Sequence, residues 1–399
     1  KRQPPSERIG MGFIGVGGQG RGHLLGGAWT YVAGGYAGRD DVQVLAVCDA
    51  WRNRREEAAQ KVNENYAARF GAGTYTDCRA YNDFRDVLAR EDIDAVLIAS
   101  PIHWHGVMTV MAAQAGKDIY CEKPTAITIQ ESQAMVSAVK RYGRVFQAGT
   151  QQRSEYGGKF RRACEIVRSG GIGRLKEVYA FRPGGTFAWR HFGPPQAVPD
   201  GLDWDLALGP APWQPYGGVC HAHMFMGAGD INWAPHHYDF IQWALDADRR
   251  GPVEIRLDDG VLHYHYANGV IVHGCPPPEG GPGGSGGARF IGADGWVAVD
   301  RDDIAAHPAE LLRQPVAPGA ANVYRSDSHS GNFLDCVRSR RQPICDIETA
   351  HRAASVVLLG GIALELQRSL TWDPEREQFV NDEKANRMLS AAFRPPWLI

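Results

Sequence analysis

The stretch from Ile9 to Gly20, IGMGFIGVGGQG, constrains this chain more than any other. It reads as a buried strand running into a glycine-rich turn, with Gly15, Gly17 and Gly20 satisfying G-x-G-x-x-G. In a βα unit the first glycine permits the tight turn, the second lets a pyrophosphate approach the backbone, and the third lets helix and strand pack closely. The following helix then aims its N-terminus at the phosphates. A chain with 48 glycines can match this pattern by chance, so context decides. Val42 to Cys48 is apolar and β-branched, as a strand buried on both faces should be, and it ends on Asp49. An acid there accepts ribose hydroxyls. The gap to Asp49 exceeds the usual spacing of about 20 residues. Gly26 to Asp41, rich in Gly and Tyr, accounts for the excess as an inserted surface loop. Asp49 favours NAD, because its charge repels a 2′-phosphate, while Arg52, Arg54 and Arg55 keep NADP open. Gln19 and Arg52 join the three glycines and Asp49 as candidate cofactor contacts.

At 399 residues the chain exceeds one typical domain, and two are expected: 1–150 for the dinucleotide and 151–399 for substrate and oligomerisation. A formal net charge of -2 with no basic stripe gives no electrostatic case for nucleic acid or an anionic membrane. No run reads as the ~20 consecutive apolar residues of a membrane span. The eight cysteines show no C-x-x-C spacing and are expected to be mostly free thiols. The sequence opens at Lys1 with a polar, proline-containing lead, so an upstream tag or signal peptide is expected to have been removed. The compartment is cytoplasmic, or exported if that segment was a signal peptide. Pro276 to Gly287 reads as a loop.

The βα pattern continues after Asp49. Arg52 to Phe70 and Tyr81 to Ala89 read as helices, the second capped by Asn82, and Ile93 to Ala99 as a third buried strand. That strand ends in Ser100-Pro101-Ile102-His103-Trp104-His105, where a ligand of an open α/β sheet sits, so Ser100, His103 and His105 are candidate cofactor contacts. His105 is either a helix cap near the nucleotide or a base. Val107 to Ala115 is helical, and Asp118 to Cys121 forms the next strand, ending in Glu122-Lys123-Pro124. A lysine there either stabilises the alkoxide of a substrate as hydride leaves, or is a surface lysine before a turn proline. A helix over Ile129 to Tyr142 and a strand over Val145 to Gly149 complete the series, with Gln151 and Arg153 at its exit as candidate cofactor and substrate contacts.

The order G-x-G-x-x-G, Asp49, SPIHWH, AGKDIYCEKP and FQAGTQQRS resembles the Gfo/Idh/MocA family of sugar and inositol oxidoreductases. The likeness continues through IGRLKEVYAFR, DWDLALGPAPWQPY, NWAPHHYDFIQWAL, SHSGNFLDCVRSR and AFRPPW, so it covers nearly the whole chain. The resemblance implies an α/β chain: an N-terminal Rossmann dinucleotide-binding domain, then a C-terminal α+β domain with an open, mostly antiparallel sheet. It also implies a cis Lys123-Pro124 peptide, an outer sheet face used in a homodimer or homotetramer, and a C-terminal segment packing back on the first domain. Plausible strands are Leu175 to Arg182, Val253 to Leu257, Val261 to Tyr266, Val270 to Gly274, Ala288 to Ile291 and Trp296 to Val299. Asn332 to Arg338 and His351 to Arg368 read as helices.

In the family a D-x-x-x-H motif supplies an acid and a general base, and the matching residues here are Asn232 and His236. The base is retained and the acid is not. Asn232 orients a substrate but exchanges no proton, and Asp239, three residues beyond His236, is the candidate replacement for the charge. Four histidines fall between His221 and His237. His221-x-His223 suits ligation from a strand, but adjacent His236 and His237 point apart on a helix, so no metal is expected. Asp230, His237, Arg153 and Trp189 are candidate substrate contacts. Trp189, Trp204, Trp213 and Trp233 offer flat faces for sugar rings, or serve as core aromatics.

The implied activity is NAD(P)-dependent hydride transfer at a secondary hydroxyl carbon of a sugar, glycoside or cyclitol, with Lys123 and His236 handling the proton. Two alternatives stand beside it. One is an NAD-dependent glycoside hydrolase working by transient C3 oxidation, elimination and water addition. The other is a catalytically weakened sugar- or nucleotide-binding protein, motivated by Asn232.

Overall fold

The computed structural model describes residues 7–27, 30–181, 193–218, 231–278, 287–316, 319, 321 and 323–399. Six short segments form the first sheet: β1 (Ile9–Ile14), β2 (Val42–Cys48), β3 (Arg79–Tyr81), β4 (Ala95–Ile98), β5 (Asp118–Cys121) and β6 (Phe146–Ala148). All pairings are parallel, in the order β3-β2-β1-β4-β5-β6. β1, β4 and β5 are buried at every position. Apart from Asp118 at the start of β5 they carry no charged side chain, because helices cover both faces. α1 (Gly18–Leu25) and α2 (Arg52–Phe70) pack on one face; α3 (Phe84–Leu88), α4 (His105–Gln114) and α5 (Ile129–Arg141) pack on the other. The strand order reverses between β1 and β4, the place where such a sheet opens a crevice at the carboxyl ends of its strands.

Two local expectations are corrected. The segment between α1 and β2 is packed rather than a plain surface loop: Tyr36 and Ala37 have no solvent exposure. Tyr36 meets Phe13 of β1 edge-on, with ring centroids 5.6 Å apart. The expected helix from Tyr81 is shorter, because Arg79–Tyr81 pairs with β2 as an edge strand. α3 is capped by Asp83, whose carboxylate accepts the Arg85 N–H at 2.9 Å, and not by Asn82. Asn82 bridges Arg55 and Asp203 instead.

The second half runs α6 (Lys159–Arg168), β7 (Leu175–Ala180), α7 (Trp204–Leu208), α8 (Ala234–Ala244), β8 (Glu254–Asp258), β9 (Val261–His265), β10 (Ile271–His273), β11 (Ala288–Gly292), β12 (Trp296–Val299) and β13 (Ile304–His307). It closes with α9 (His329–Ser339), α10 (Ile347–Leu366), β14 (Leu370–Asp373), β15 (Gln378–Phe379) and α11 (Glu383–Arg387). The nine strands order as β13-β12-β11-β7-β10-β9-β8-β14-β15, with only β7 and β10 paired in parallel. β13, β14 and β15 were not expected from sequence. Burial alternates along β9, where Leu262 and Tyr264 point inward and His263 and His265 stay half-exposed. Helices α6, α8 and α10 cover the inner face. α10, 20 residues long, is apolar enough to cross a membrane by length and composition, but most of it is buried inside the protein as a core helix.

The C-terminal elements return to the first domain. Phe333 and Leu334 of α9 join the cluster built on Met11 and Phe13. Arg340 pairs with Asp118 at the start of β5, and Trp397 meets Trp104 edge-on at 4.7 Å. Among the described residues, Cys48, Cys78, Cys121, Cys164, Cys275, Cys336 and Cys345 are free thiols.

Candidate active site

A cavity of about 430 Å³ lies beyond the carboxyl ends of β1, β2 and β4. Gly15, Gly17, Gln19, Asp49 and Ser100 line it. Gly15 sits at φ +84, and a Cβ there would come within 2.4 Å of the Ser100 nitrogen. A Cβ on Gly20 would fall 1.8 Å from the Gly15 oxygen, so any larger residue would force helix and strand apart. The Asp49 carboxylate accepts the Val16 N–H at 3.0 Å and the Trp51 N–H at 2.9 Å, which fixes it across the turn. Burial pushes its pKa up, opposed by these amides and by Arg54 and Arg55. A glycine-walled mouth at the N-terminus of α1, an acid at the end of β2 and an apolar slot beyond them fit a pyrophosphate, a ribose and an adenine ring.

Several residues here were not foreseen. Arg54, not Arg52, lines the cavity. Arg52 points its main chain at the second domain, its N–H donating to the Gly201 oxygen at 2.8 Å. Leu202, Leu206 and Ala207 cover the cavity from that domain. Their segment is tied down by Asp203 N–H to the Ala50 oxygen at 3.0 Å and by Trp104 Nε1 to the Leu206 oxygen at 3.1 Å. The only sequence signal was the DWDLALGP run itself.

The two histidines after β4 act on the surrounding structure rather than forming the cavity lining. His103 is fully buried, with Nε2 3.1 Å from the Ala207 oxygen, and burial pushes its pKa down to about 3. It is neutral, and it pins the covering segment. His105 places Nδ1 2.6 Å from the Pro124 oxygen and Nε2 2.9 Å from the Ser100 oxygen, and burial lowers its pKa too. The neutral ring donates its single N–H to one of these two carbonyls and lies buried between the two strand-end turns.

β5 delivers Glu122 and Lys123 to the open end of the crevice. Glu122 is 4% exposed; its Oε1 lies 2.7 Å from His23 Nε2 and accepts from Gln151 Nε2 at 3.0 Å and Gln19 Nε2 at 3.3 Å. Its Oε2 accepts the Lys123 N–H at 3.2 Å. Burial pushes this carboxyl up, but the hydrogen bond and charge of His23, with Lys123 and Gln19, hold it below its usual range. Gln19 and Gln151 therefore reach the site through Glu122, and His23 is a member that the sequence reading missed. The Lys123-Pro124 peptide is cis. Lys123 Nζ donates to both the main-chain oxygen and Oδ1 of Asn232, each at 2.9 Å.

His236 follows on the first turn of α8, buried, with Nδ1 lacking a hydrogen-bond partner among the described residues. Burial drives its pKa well down, helped by the charges of Lys123 and Arg301. Asp239 does not supply the missing charge. It is fully buried, with Oδ2 2.7 Å from Arg153 Nε. Arg153 also donates to Asp248 and to the Asp239 main-chain oxygen, so it is buried in an internal ion-pair network. His237 is fully buried next to His236. Trp189, Asp230, His221 and His223 lie outside the described residues. Among the described residues no group of three or more His, Cys, Asp or Glu side chains is arranged to hold a metal.

Residues 9–150 match an oxidoreductase family with an NAD-binding Rossmann fold, and residues 166–270 and 319–399 match the C-terminal alpha/beta domain of the same family. Inositol 2-dehydrogenase of Salmonella typhimurium is 32% identical over 169 residues, 42% of this chain and 44% of that protein. A glycosyl hydrolase family 109 protein of Shewanella pealeana is 28% identical over 172 residues, 43% of this chain and 34% of that protein. The matched segments thus span less than half the length of these curated relatives. The WlbA dehydrogenase of Bordetella pertussis, solved with NADH and UDP-GlcNAcA, superposes with a TM-score of 0.60 at 19% identity, over 92% of this chain and 98% of that one. That likeness shows a shared fold. With both of its domains matched, the chain belongs to the Gfo/Idh/MocA oxidoreductase family.

Proposed function

We propose that the protein transfers a hydride between a nicotinamide cofactor and a secondary hydroxyl carbon of a sugar, glycoside or cyclitol. The observation that carries this reading is Lys123 Nζ held at Asn232 beside His236, at the end of β5 where the crevice opens. When bound, the nicotinamide supplies the carbon that takes or gives the hydride. The chain's own residues handle the proton. Neutral His236 accepts the hydroxyl proton at a ring nitrogen, and its lowered pKa keeps it neutral at pH 7. The Lys123 ammonium donates to the substrate oxygen and stabilises the negative charge that grows there. Asn232 sets the direction of Nζ without charge, and Glu122 holds the lysine's main chain from below.

In this reading NAD is preferred over NADP, because the charge of Asp49 lining the cavity would repel a 2′-phosphate; Arg54 in the same cavity moderates that preference. The half-exposed outer face of the second sheet supports a homodimer or homotetramer. The test is incubation of the protein with NAD and a panel of hexoses, methyl glycosides, inositols, hexuronates and hexose phosphates while following reduced nicotinamide. Stoichiometric reduction is expected with at least one of them, and none with the whole panel counts against the reading.

The segment Gly201–Leu208, bonded across the cavity, favours a second reading in which the cofactor stays bound. This is glycoside hydrolysis by transient oxidation at C3, elimination of the aglycone and addition of water. Release of aglycone with no net nicotinamide reduction would select it.

A further inference from the structure

Arg301 follows β12, and its guanidinium lies over two aromatic rings, 4.8 Å from the Trp233 centroid and 5.2 Å from that of Tyr156. Trp233 in turn neighbours His236, with ring centroids 6.1 Å apart, and follows Asn232 directly in the chain. Tyr31, from the insertion after α1, meets Tyr156 edge-on at 5.0 Å. Both tyrosines hold left-handed backbone, φ 56 and φ 62, a conformation unfavourable for a non-glycine residue. Four half-exposed side chains from four separate segments therefore gather at the rim of the proposed active site.

Among the described residues Arg301 is held by aromatic rings and not by an acid. Arg153, Arg340 and Arg352 each sit against a carboxylate. Arg301 has none within ion-pair distance among the described residues, and its buried Nε has no hydrogen-bond partner there. The neighbouring acids are engaged with main chain: Asp300 accepts the N–H groups of Asp302 and Asp303, Asp303 accepts that of Ile304, and Glu155 accepts that of His329. Lys159 Nζ fixes the Arg301 main-chain oxygen at 2.9 Å. Aromatic faces orient a guanidinium without using its donors, so the planar fork stays available for a carboxylate or phosphate.

We propose that Arg301 receives an oxyanion carried by the substrate, so that the natural substrate is an acidic sugar rather than a neutral one. This deepens the sugar reading above and rests on it for the location of the site. Two sources share the chemistry, the carboxylate of a sugar acid and the phosphate of a phosphorylated sugar. Arg301 is a binding residue in this account, not a proton-transfer group.

The test is calorimetric binding of D-glucuronate, glucose 6-phosphate and D-glucose to the NAD-loaded full chain, for the natural protein, Arg301→Gln and Arg301→Lys. At least one anion should bind about 10- to 100-fold more tightly than D-glucose, the range expected of a charge-assisted hydrogen bond. D-glucuronate alone identifies a carboxylate, and glucose 6-phosphate alone a phosphate. Arg301→Gln should collapse the preference towards unity. Arg301→Lys, which keeps the charge and loses the fork, should reduce it several-fold and carries the test if the glutamine variant does not fold. No preference for either anion, or one that survives both substitutions unchanged, overturns the proposal. Arg301-dependent anion preference without hydride transfer to any sugar would leave it standing and refute the oxidoreductase reading. Nicotinamide reduction by neutral sugars with no anion preference would do the reverse.

Discussion

Lys123 Nζ donates to both the main-chain oxygen and the side-chain oxygen of Asn232, each at 2.9 Å, so the lysine of the first domain is anchored by a residue of the second. Asn232 thereby takes the lysine-facing position with an uncharged acceptor. Asn232→Asp would place a carboxylate against both Lys123 and His236 and raise the pKa of each. Natural His236 is held well below its ordinary value by burial, Lys123 and Arg301, so the acid limb of kcat/KM should lie below the usual histidine range. In Asn232→Asp that limb should move up by about one pH unit. Asn232→Ala should cost only about tenfold in turnover, the loss of one hydrogen bond to a charged group. A pH profile of both variants checks this, and an unmoved limb would remove His236 as the titrating base.

Cofactor choice follows from Asp49 and Arg54. Asp49→Ser should weaken NADH binding about tenfold or more and narrow the preference over NADPH, because it removes a ribose acceptor together with the charge that repels a 2′-phosphate. Arg54→Ala should weaken NADPH more than NADH. Fluorescence titration with both reduced cofactors reads the two effects, and equal losses for both cofactors in both variants would show that these residues do not discriminate.

Much of the first domain was legible because its signals are local. The glycine turn, the terminal acid and the buried strands each occupy one short stretch, and α2 and β5 fall at the residues that their apolar spacing marked. What escaped depends on contacts distant in sequence. The insertion containing Tyr36 looked like a loop because its core contact, Phe13, lies in β1. The covering segment at Leu206 carried only a family likeness in its sequence, and its place over the cavity shows in the Trp104 bond. Asp239 was placed correctly on the helix of His236, but its partner Arg153 is 86 residues away. His23 carries no motif, and only the fold brings it to Glu122.

Acid sensitivity should trace to Glu377. It pairs with Arg352 at 2.7 Å and accepts from Gln133 at 2.6 Å, and its other close partner is His351. Burial pushes its carboxyl up, but the His351 bond and charge, with Gln133 and Arg352, bring the pKa down to about 2. A depressed carboxyl adds stability that is full above its unfolded value of 4.5 and is lost as pH falls through about 2. Glu377→Gln should therefore cost about 1–2 kcal/mol at neutral pH and much less near the folded pKa. Urea unfolding at the two pH values checks the difference, and an equal cost at both would dissociate the effect from ionisation.

Assembly is expected through the outer face of the second sheet, where Tyr179 stacks on His273 and Arg289 lies over Trp296. Light scattering should give a dimer or tetramer at micromolar concentration, and Tyr179→Arg should lower the mass by placing a charge in the contact. A monomer for the natural protein would contradict it.

The central claim, that Lys123 and His236 carry the proton while a nicotinamide takes the hydride, is tested most directly by single-turnover reduction of NAD by a confirmed sugar substrate, read as the absorbance of reduced nicotinamide. His236→Ala and Lys123→Ala should each slow the chemical step by about 10² to 10⁴ while NAD remains bound. A reduction rate unchanged in both variants would contradict the account.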